Sequence, residues 1–344
     1  YTLSLHDALP IFRVVCVQLL SAAMASPTFN KDTHMPIRMK MLAVCFKLLY
    51  AKAPEVVAAA YLALERVMLL QGKLPRDLLQ NGLKPVLMNL ADHKRLSLSS
   101  LKGLARLLEL LTNYFRVEIG TKLVDHLRNL AIPGDIVRAA TRQPLEDSEI
   151  EIMAAIVNIF HLLPHPAAQT YVNDVLMLTT EIERHLKKLK TSPFSEPFAK
   201  YLRHYPDEAT TFFFERLDDD SCVRTFRGVL ASEYAGPIRA HITDAAAELF
   251  QPCFAAGGNL ALNAASIMAE LVEAEPDWIV RCEAALPQLV GRWISDTRRH
   301  RVVAEGELQF QQLREDAVVL NIFMDYLRQA ENIEIGRASC RERV

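Results

Sequence analysis

The feature that most constrains this chain is an almost unbroken helical periodicity of its apolar residues. Leu101, Leu104, Leu108 and Leu111 recur at intervals of three and four residues, which places them on one face of an α-helix. We expect Ser99 or Ser100 to cap this helix. After the short Asn113-Tyr114 junction, a second apolar face follows at Phe115, Ile119, Leu123, Leu127 and Leu130. Two amphipathic helices joined so closely form a helical hairpin.

The same unit recurs along the chain, and strand signals are almost absent. Helices are predicted at about 13–25, 37–51, 54–71, 76–91, 99–112, 115–131, 148–162, 168–190, 194–204, 207–217, 221–231, 237–255, 258–274, 277–294 and 306–330. Prolines stand in most breaks, where several would begin the next helix. Helix pairs that repeat about every 40 residues without a strict signature are typical of HEAT or armadillo arrays. We therefore predict an all-α, HEAT-type superhelix of stacked hairpins, whose extended surface suits partner binding.

The two ends of the chain stand apart from this pattern. Residues 1–11 (YTLSLHDALPI) and 335–344 (IGRASCRERV) can be encoded by opposite strands of one oligonucleotide that resembles a common sequencing adapter. Chance does not readily produce such a relationship between two protein ends. We interpret both ends as adapter-derived and residues 12–334 as a native HEAT-like segment of a longer reading frame.

Composition excludes several classes of ligand. The formal net charge is −2, whereas a general nucleic-acid binder is strongly basic. Apolar residues make up 51% of the chain and glycine only 12 positions, which suits a helical protein with a large core. No uncharged apolar run reaches the ~18 residues that a membrane span needs. We expect no contact with nucleic acid, membrane or a small-molecule substrate.

Cysteine and histidine patterns do not predict a metal or redox site. The five cysteines of residues 12–334 are odd in number, far apart and without a CxxC pair, so they are expected to be reduced core residues of a cytosolic or nuclear protein. His161 and His165 are four residues apart, but Pro164 prevents one helix from carrying both. His126 falls on the buried side of its helix and is expected to be a core histidine.

No catalytic motif is present in the sequence. It lacks the GxxxxGK[ST] and GxGxxG phosphate-binding loops, the HRD and DFG hallmarks of kinases, and the HExxH and GxSxG motifs of hydrolases. We therefore predict no catalytic residue, no metal and no cofactor, and we do not expect an enzyme.

Three charged clusters remain to be interpreted. Asp218-Asp219-Asp220 precedes a new helix and is expected to cap it. Basic candidates for partner contacts come from two further clusters, namely Lys187, Lys188, Lys190, Arg298, Arg299 and Arg301. The first of these basic clusters is either a solvated helix end or a site for an acidic peptide. The second could mimic a nuclear localisation patch. Trp278 and Trp293 are expected to be core anchors.

Several runs carry a resemblance to a known family. Residues 81–127 (NGLKPVLMNLADHKRLSLSSLKGLARLLELLTNYFRVEIGTKLVDHL) resemble the transcription-associated member of the PIKK family. Residues 156–164 (IVNIFHLLP) and 192–205 (SPFSEPFAKYLRHY) are similar in the same order. The resemblance is specific over residues 78–205 and weaker over 207–330, where Glu275-Pro276-Asp277-Trp278 is the best local match.

The resemblance implies a long HEAT solenoid followed by a FAT region and a kinase-like domain without catalytic residues. This segment would lie in the solenoid, upstream of FAT. The family scaffolds histone acetyltransferase complexes of the SAGA and NuA-four types and receives acidic transcription activators, which implies protein partners and a nuclear location. Two alternatives stay open: the solenoid arm of an active PIKK-family kinase, and a HEAT-repeat transport adaptor, against which only residues 81–127 argue.

Overall fold

The computed structural model describes residues 5–30, 32–71, 96–110, 117–141, 148–186 and 192–282. All regular structure within these ranges consists of α-helices and short 3-10 segments, which confirms the predicted all-α class. None of the helices in this described part combines the length and the apolar character needed to cross a bilayer. The chain divides into two compact units, Tyr1–Tyr171 and Val172–Val344.

The first unit is built from short and medium-length helices. They are α1 Leu5–Ala25, α2 Met35–Leu48, α3 Pro54–Gln71, α4 Leu98–Leu110, α5 Val117–Leu130, α6 Pro133–Thr141, α7 Glu149–Phe160 and α8 His165–Gln169, with 3-10 segments Pro27–Asn30 and Asp32–His34 between α1 and α2. Helices α1 and α2 pack against α3, and Leu42, Phe46 and Leu64 are buried in this group. Helices α4, α5 and α6 all pack against α7, whose Ile156 and Phe160 are fully buried.

The start of α4 differs from the prediction by a few residues. The Oγ of Ser97 accepts a hydrogen bond from the backbone N–H of Ser100 at 3.3 Å, and the helix begins at Leu98. Ser99 and Ser100 therefore lie inside the first turn, and their predicted role as N-cap is wrong. Ser97 takes that role because its side chain reaches an N–H group that has no partner within the helix.

Proline positions explain two further differences in the first unit. Pro133 was expected in a break, but it begins α6, which no periodic segment predicted. Proline fits a first helical position, Asp135 in the first turn favours the helix dipole, and Ile136 is buried. Around Pro164 the chain leaves α7 and begins α8 at His165, so His161 and His165 do not share a helix, as predicted.

The second unit repeats the hairpin pattern. Its helices are α9 Val172–His185, α10 Ser195–Leu202, α11 Pro206–Phe214, α12 Asp220–Leu230, α13 Gly236–Asp244, α14 Ala246–Ala256, α15 Gly258–Ala274 and α16 Trp278–Arg281, with a 3-10 segment Glu233–Ala235 before α13. Helix α9 contacts α11 and α12, α10 contacts α12, α11 contacts α13, and α12 contacts α15. Contacts that skip one helix are expected when successive hairpins stack.

Aromatic side chains form much of the core of the second unit. The rings of Phe213 and Phe226 are stacked at 4.3 Å with an interplanar angle of 11°. Phe250 meets Trp278 edge-on at 6.2 Å. Trp278 is completely buried, and its indole N–H donates a hydrogen bond to the Oγ1 of Thr243 at 2.9 Å. Trp278 is therefore a core anchor, as predicted, whereas Trp293 lies outside the described residues.

Two breaks in the second unit show what a periodic pattern can detect. The turn between α14 and α15 contains Gly257 and Gly258 at φ values of 80° and 59°, a left-handed region that favours glycine, and it was predicted. The single helix predicted over 237–255 is wrong, because it is interrupted at Ala245. Apolar residues continue at intervals of four across that break, so the pattern gives no sign of it. The helix predicted over 168–190 also begins too early, since α8 ends at Gln169 and α9 begins at Val172.

Candidate interaction surface

The predicted basic contacts cannot be placed in this structure. Lys187, Lys188, Lys190, Arg298, Arg299 and Arg301 all lie outside the described residues, so their role stays a prediction.

At the described end of α9, immediately before Lys187, Arg184 and His185 already contact carboxylates. Arg184 binds the carboxylates of Asp219 at 2.6 Å and Glu181 at 2.9 Å. The Nε2 of His185 lies 3.3 Å from the same Glu181. This end of α9 therefore offers little open positive charge to a partner.

The acidic cluster before α12 caps that helix. The backbone N–H of Ser221 donates a hydrogen bond to the Oδ1 of Asp219 at 2.9 Å. Burial alone would raise the pKa of Asp219, but hydrogen bonds from Ser221 and Arg184 outweigh it and hold that pKa below its ordinary value. The predicted capping role is confirmed. Within the described ranges, no three His, Cys, Asp or Glu side chains come together as a metal site would require.

The described cysteines are core residues. Cys45, Cys222, Cys253 and Cys282 are buried, and Cys16 is half-buried. Burial raises the pKa of the Cys45, Cys222 and Cys282 thiols to about 11. Since the thiolate is the reactive form, these thiols are poor nucleophiles at neutral pH. This agrees with their prediction as reduced core cysteines.

Ion pairs between helices hold the second unit together. The Nε of Arg227 on α12 lies 2.9 Å from Glu270 on α15. The Nε of Arg239 on α13 lies 2.6 Å from Glu275, which also binds Arg281. These arginines act between elements of one fold, so their charge is largely neutralised before any partner arrives.

Helix α2 in the first unit presents a different kind of surface. Ile37 and Val44 are 53% and 46% exposed, although both are large and apolar. Lys40 and Lys47 are exposed as well. Ile37 and Val44 are seven residues apart, as are Lys40 and Lys47, and this spacing corresponds to two turns or about 10.5 Å along the helix. The four side chains therefore form an apolar row and a cationic row next to each other. We call this surface the α2 face.

The stretch of chain around α2 is basic in composition. Residues 33–53 include Arg38, Lys40, Lys47 and Lys52 but no Asp or Glu. The ion pairs described in the first unit lie on other helices, on α5 and α6. Neither lysine of the α2 face is paired with a carboxylate in the described part of the chain. The α2 face therefore places exposed lysines beside exposed apolar residues.

The sequence predictions missed the α2 face for an identifiable reason. Runs of neighbouring basic residues, such as Lys187-Lys188, are what a sequence shows most directly. On α2 the cations Arg38, Lys40 and Lys47 are two and seven residues apart, and the useful signal is the absence of acidic residues over 33–53. Spacing of this kind is visible only once the helix boundaries are known.

An open groove lies between α1 and α3. Its volume is about 440 Å³, and its lining consists of Gln18, Ser21, Ala59, Leu62, Ala63, Glu65, Arg66 and Leu69. Leu62 and Leu69 are 61% and 82% exposed. The apolar half of this lining, Ala59, Leu62, Ala63 and Leu69, suits packing against another apolar surface.

The fold is a helical-repeat segment built from stacked hairpins. Its buried thiols are protonated, and its exposed apolar surfaces suit contacts with other proteins. Comparison with known proteins gives the family. The family model described as the Tra1 HEAT repeat ring region matches residues 4–336. This chain belongs to the Tra1 HEAT repeat ring family, which confirms the HEAT-type fold and the resemblance to the transcription-associated proteins. The boundaries of the adapter-derived ends stay predictions.

Curated relatives agree with this assignment. The SAGA complex/NuA4 acetyltransferase complex subunit TRA1 of Saccharomyces cerevisiae is 40% identical over 210 residues, 61% of this chain and 6% of the relative. The subunit of the same name from Schizosaccharomyces pombe is 36% identical over 228 residues, 66% of this chain and 6% of the relative. The probable transcription-associated protein 1 of Dictyostelium discoideum is 29% identical over 322 residues, 92% of this chain and 7% of the relative. The chain thus spans less than a tenth of their length.

Proposed function

We propose that this chain is a non-catalytic scaffold segment of a transcription coactivator, which binds activators and other subunits of a histone acetyltransferase complex in the nucleus. The match to the Tra1 HEAT repeat ring over residues 4–336 carries this proposal. Two relatives named as subunits of SAGA and NuA4 acetyltransferase complexes support the choice of partners.

The proposed mechanism is binding alone. Stacked hairpins bury a core and leave side chains in fixed positions over a large surface, so several partners can contact one segment without large rearrangement. Such a segment needs no cofactor, metal, nucleic acid, membrane or small-molecule substrate. In this proposal, the kinase-like domain of the whole protein contributes no phosphoryl transfer.

Purification of the full-length protein that contains this segment tests the proposal. We expect an affinity tag on that protein to recover histone acetyltransferase activity together with several other subunits. We also expect no ATP turnover above that of a mock purification. The isolated 344-residue chain should likewise show no ATP hydrolysis, since its sequence lacks a phosphate-binding loop.

Other outcomes would favour the alternatives. ATP-dependent phosphorylation that a single point mutation abolishes would identify the segment as the arm of an active PIKK-family kinase. Recovery of transport receptors or cargo without acetyltransferase activity would identify a HEAT-repeat adaptor. Either result would overturn the scaffold proposal.

A further inference from the structure

We propose that the outer face of α1, formed by Phe12, Val15, Leu19 and Ala22, is an interior surface of the full-length protein, buried against the helical hairpin that precedes it in the same polypeptide. The face lies in the part of α1 that is predicted to be native, since the adapter-derived residues end at Ile11. This inference goes beyond the proposed function, because it depends on the chemistry of α1 and not on the identity of any other subunit.

The outer face of α1 is apolar where a surface helix would be polar. Phe12, Val15 and Leu19 follow one another at i, i+3 and i+7, and they are 69%, 46% and 64% exposed. Arg13 is the only charged residue among residues 12–25. A helix that is apolar on all its sides is typical of the interior of a large protein.

Helix α5 of the same unit has the opposite character. Its buried side includes Leu123 and Leu127. The exposed residues described on it are all polar, namely Glu118, Thr121, Lys122, Asp125, Arg128 and Asn129. This contrast shows that an apolar outer side is a property of α1 and not of the unit as a whole.

The packing of α1 indicates which element covers its outer face. Helices α2 and α3 follow each other directly and pack together, as the two helices of a hairpin do. Helix α1 packs mainly against α3 and touches α2 little, so it takes the position of the second helix of a neighbouring hairpin. The first helix of that hairpin is not among the described residues. In a repeat array, each hairpin buries its apolar sides against the hairpins next to it in the chain.

Other occupants fit the outer face less well. A helix that lies on a membrane surface carries several cations beside its apolar face, whereas residues 12–25 contain only Arg13. The chain spans less than a tenth of the length of its curated relatives, so most of the polypeptide lies outside it. A hairpin joined covalently to α1 has a high effective concentration at this face and competes well against a separate subunit.

Thiol labelling of a matched pair of valines tests whether the face is buried. Val15 on α1 and Val137 on α6 are 46% and 44% exposed, and Val137 lies next to Arg138, which is paired with Asp135. In the 344-residue chain, a maleimide should modify Val15→Cys and Val137→Cys at similar rates. In the purified full-length protein, Val15→Cys should react at least about tenfold more slowly than it does in the 344-residue chain, while Val137→Cys reacts as before.

A second variant guards against misfolding of the first. Ala22→Cys is a smaller change on the same face and should show the same protection. Far-ultraviolet circular dichroism verifies that each variant is folded, and peptide mapping by mass spectrometry separates each introduced cysteine from the native ones.

Photocross-linking identifies what covers the face. A photoreactive phenylalanine analogue placed at position 12 of the full-length protein should give a product with the mass of one polypeptide. Its link should map to a segment within about 50 residues upstream of position 12, the length of one helical repeat.

Three outcomes would overturn the inference. Val15→Cys and Ala22→Cys could react as fast in the full-length protein as in the 344-residue chain, Val15→Cys and Val137→Cys could be protected alike, or the link could join position 12 to another subunit or to a distant segment. None of these touches the proposed function, which depends on recovery of acetyltransferase activity. Absence of that activity together with protection of Val15→Cys would reject the function and leave the buried face standing.

Discussion

The Nε of Arg239 donates a hydrogen bond to the carboxylate of Glu275 at 2.6 Å, which joins α13 to the residue that ends α15. The same guanidinium donates to the backbone carbonyls of Leu230 at 2.8 Å and Ser232 at 3.0 Å. Its side chain is only 11% exposed. Arg281 binds the other oxygen of Glu275. Arg239 of α13 and Glu275 thus connect α13 to the ends of α12, α15 and α16.

Glu275→Gln should lower the stability of the second unit. Burial alone would raise the pKa of Glu275, but hydrogen bonds from Arg239 and Arg281 outweigh it and hold that pKa below the ordinary value. A depressed carboxyl pKa stabilises the fold above the pKa of the unfolded chain, and this contribution is lost as pH falls. We expect a loss of about 2 kcal/mol in the free energy of unfolding at pH 7. Urea unfolding should show the difference from wild type shrinking below pH 4.5; a difference that stays constant would contradict this.

Glu183→Gln should have the opposite effect. Glu183 is 5% exposed, and burial raises its pKa even though a hydrogen bond from Ser192 and the charge of Arg224 act in the other direction. A raised carboxyl pKa means that the stabilisation is complete at low pH and is lost as pH rises through the folded-state pKa. The neutral amide avoids this loss, so we expect the melting temperature at pH 7 to rise by about 2 °C. The gain should vanish in acid, and a lower melting temperature at pH 7 would refute it.

Two glycine substitutions form a matched pair in the first unit. A Cβ on Gly103 of α4 would overlap the ring of Tyr50, whereas one on Gly134 of α6 would meet nothing within 4 Å. Gly103→Ala should therefore destabilise the chain by about 1–3 kcal/mol through overpacking. Gly134→Ala should stabilise it by about 0.4–1 kcal/mol, because it restricts the unfolded chain. Equal effects in chemical denaturation would show that Tyr50 moves aside without cost.

Thiol labelling tests the burial of the cysteines. At pH 7.5 and without denaturant, a maleimide should modify half-buried Cys16 faster than Cys45, Cys222 or Cys282, whose thiols have a pKa raised to about 11 by burial. Peptide mapping by mass spectrometry identifies each site, and urea should make the rates similar. Rapid native labelling of Cys222 or Cys282 would contradict the packing of the second unit.

Sequence patterns predict a helix best where its apolar periodicity stops at the same residue as a glycine, proline or capping residue. The all-α class, the glycine turn at Gly257-Gly258 and the cap at Asp219 all follow from local chemistry that one sequence displays. The break at Ala245 has no such signal, because Ile242 and Ala246 keep the spacing of the helices on both sides. Helix α6 gives no clear period because only two of its residues, Ile136 and Ala139, are buried.

The candidate surface was harder to predict than the fold. Runs such as Lys187-Lys188 are visible in a sequence, but whether a cation is open or paired depends on residues far along the chain. Arg227, for example, pairs with Glu270, which is 43 positions away. The α2 face became recognisable only when the buried side of α2 was known, since burial of Leu42 and Cys45 identifies Ile37 and Lys40 as outward-facing.

Cross-linking mass spectrometry of the purified full-length assembly tests the central claim most directly, because it detects contacts of this segment with other polypeptides. Lys40, Lys52, Lys102 and Lys122 are exposed on this segment and are the amines that a cross-linker would sample. If the segment is a scaffold, links will join lysines of residues 12–334 to at least one other subunit of an acetyltransferase complex. Links confined to the segment's own polypeptide, in an assembly whose other subunits are linked to one another, would contradict it.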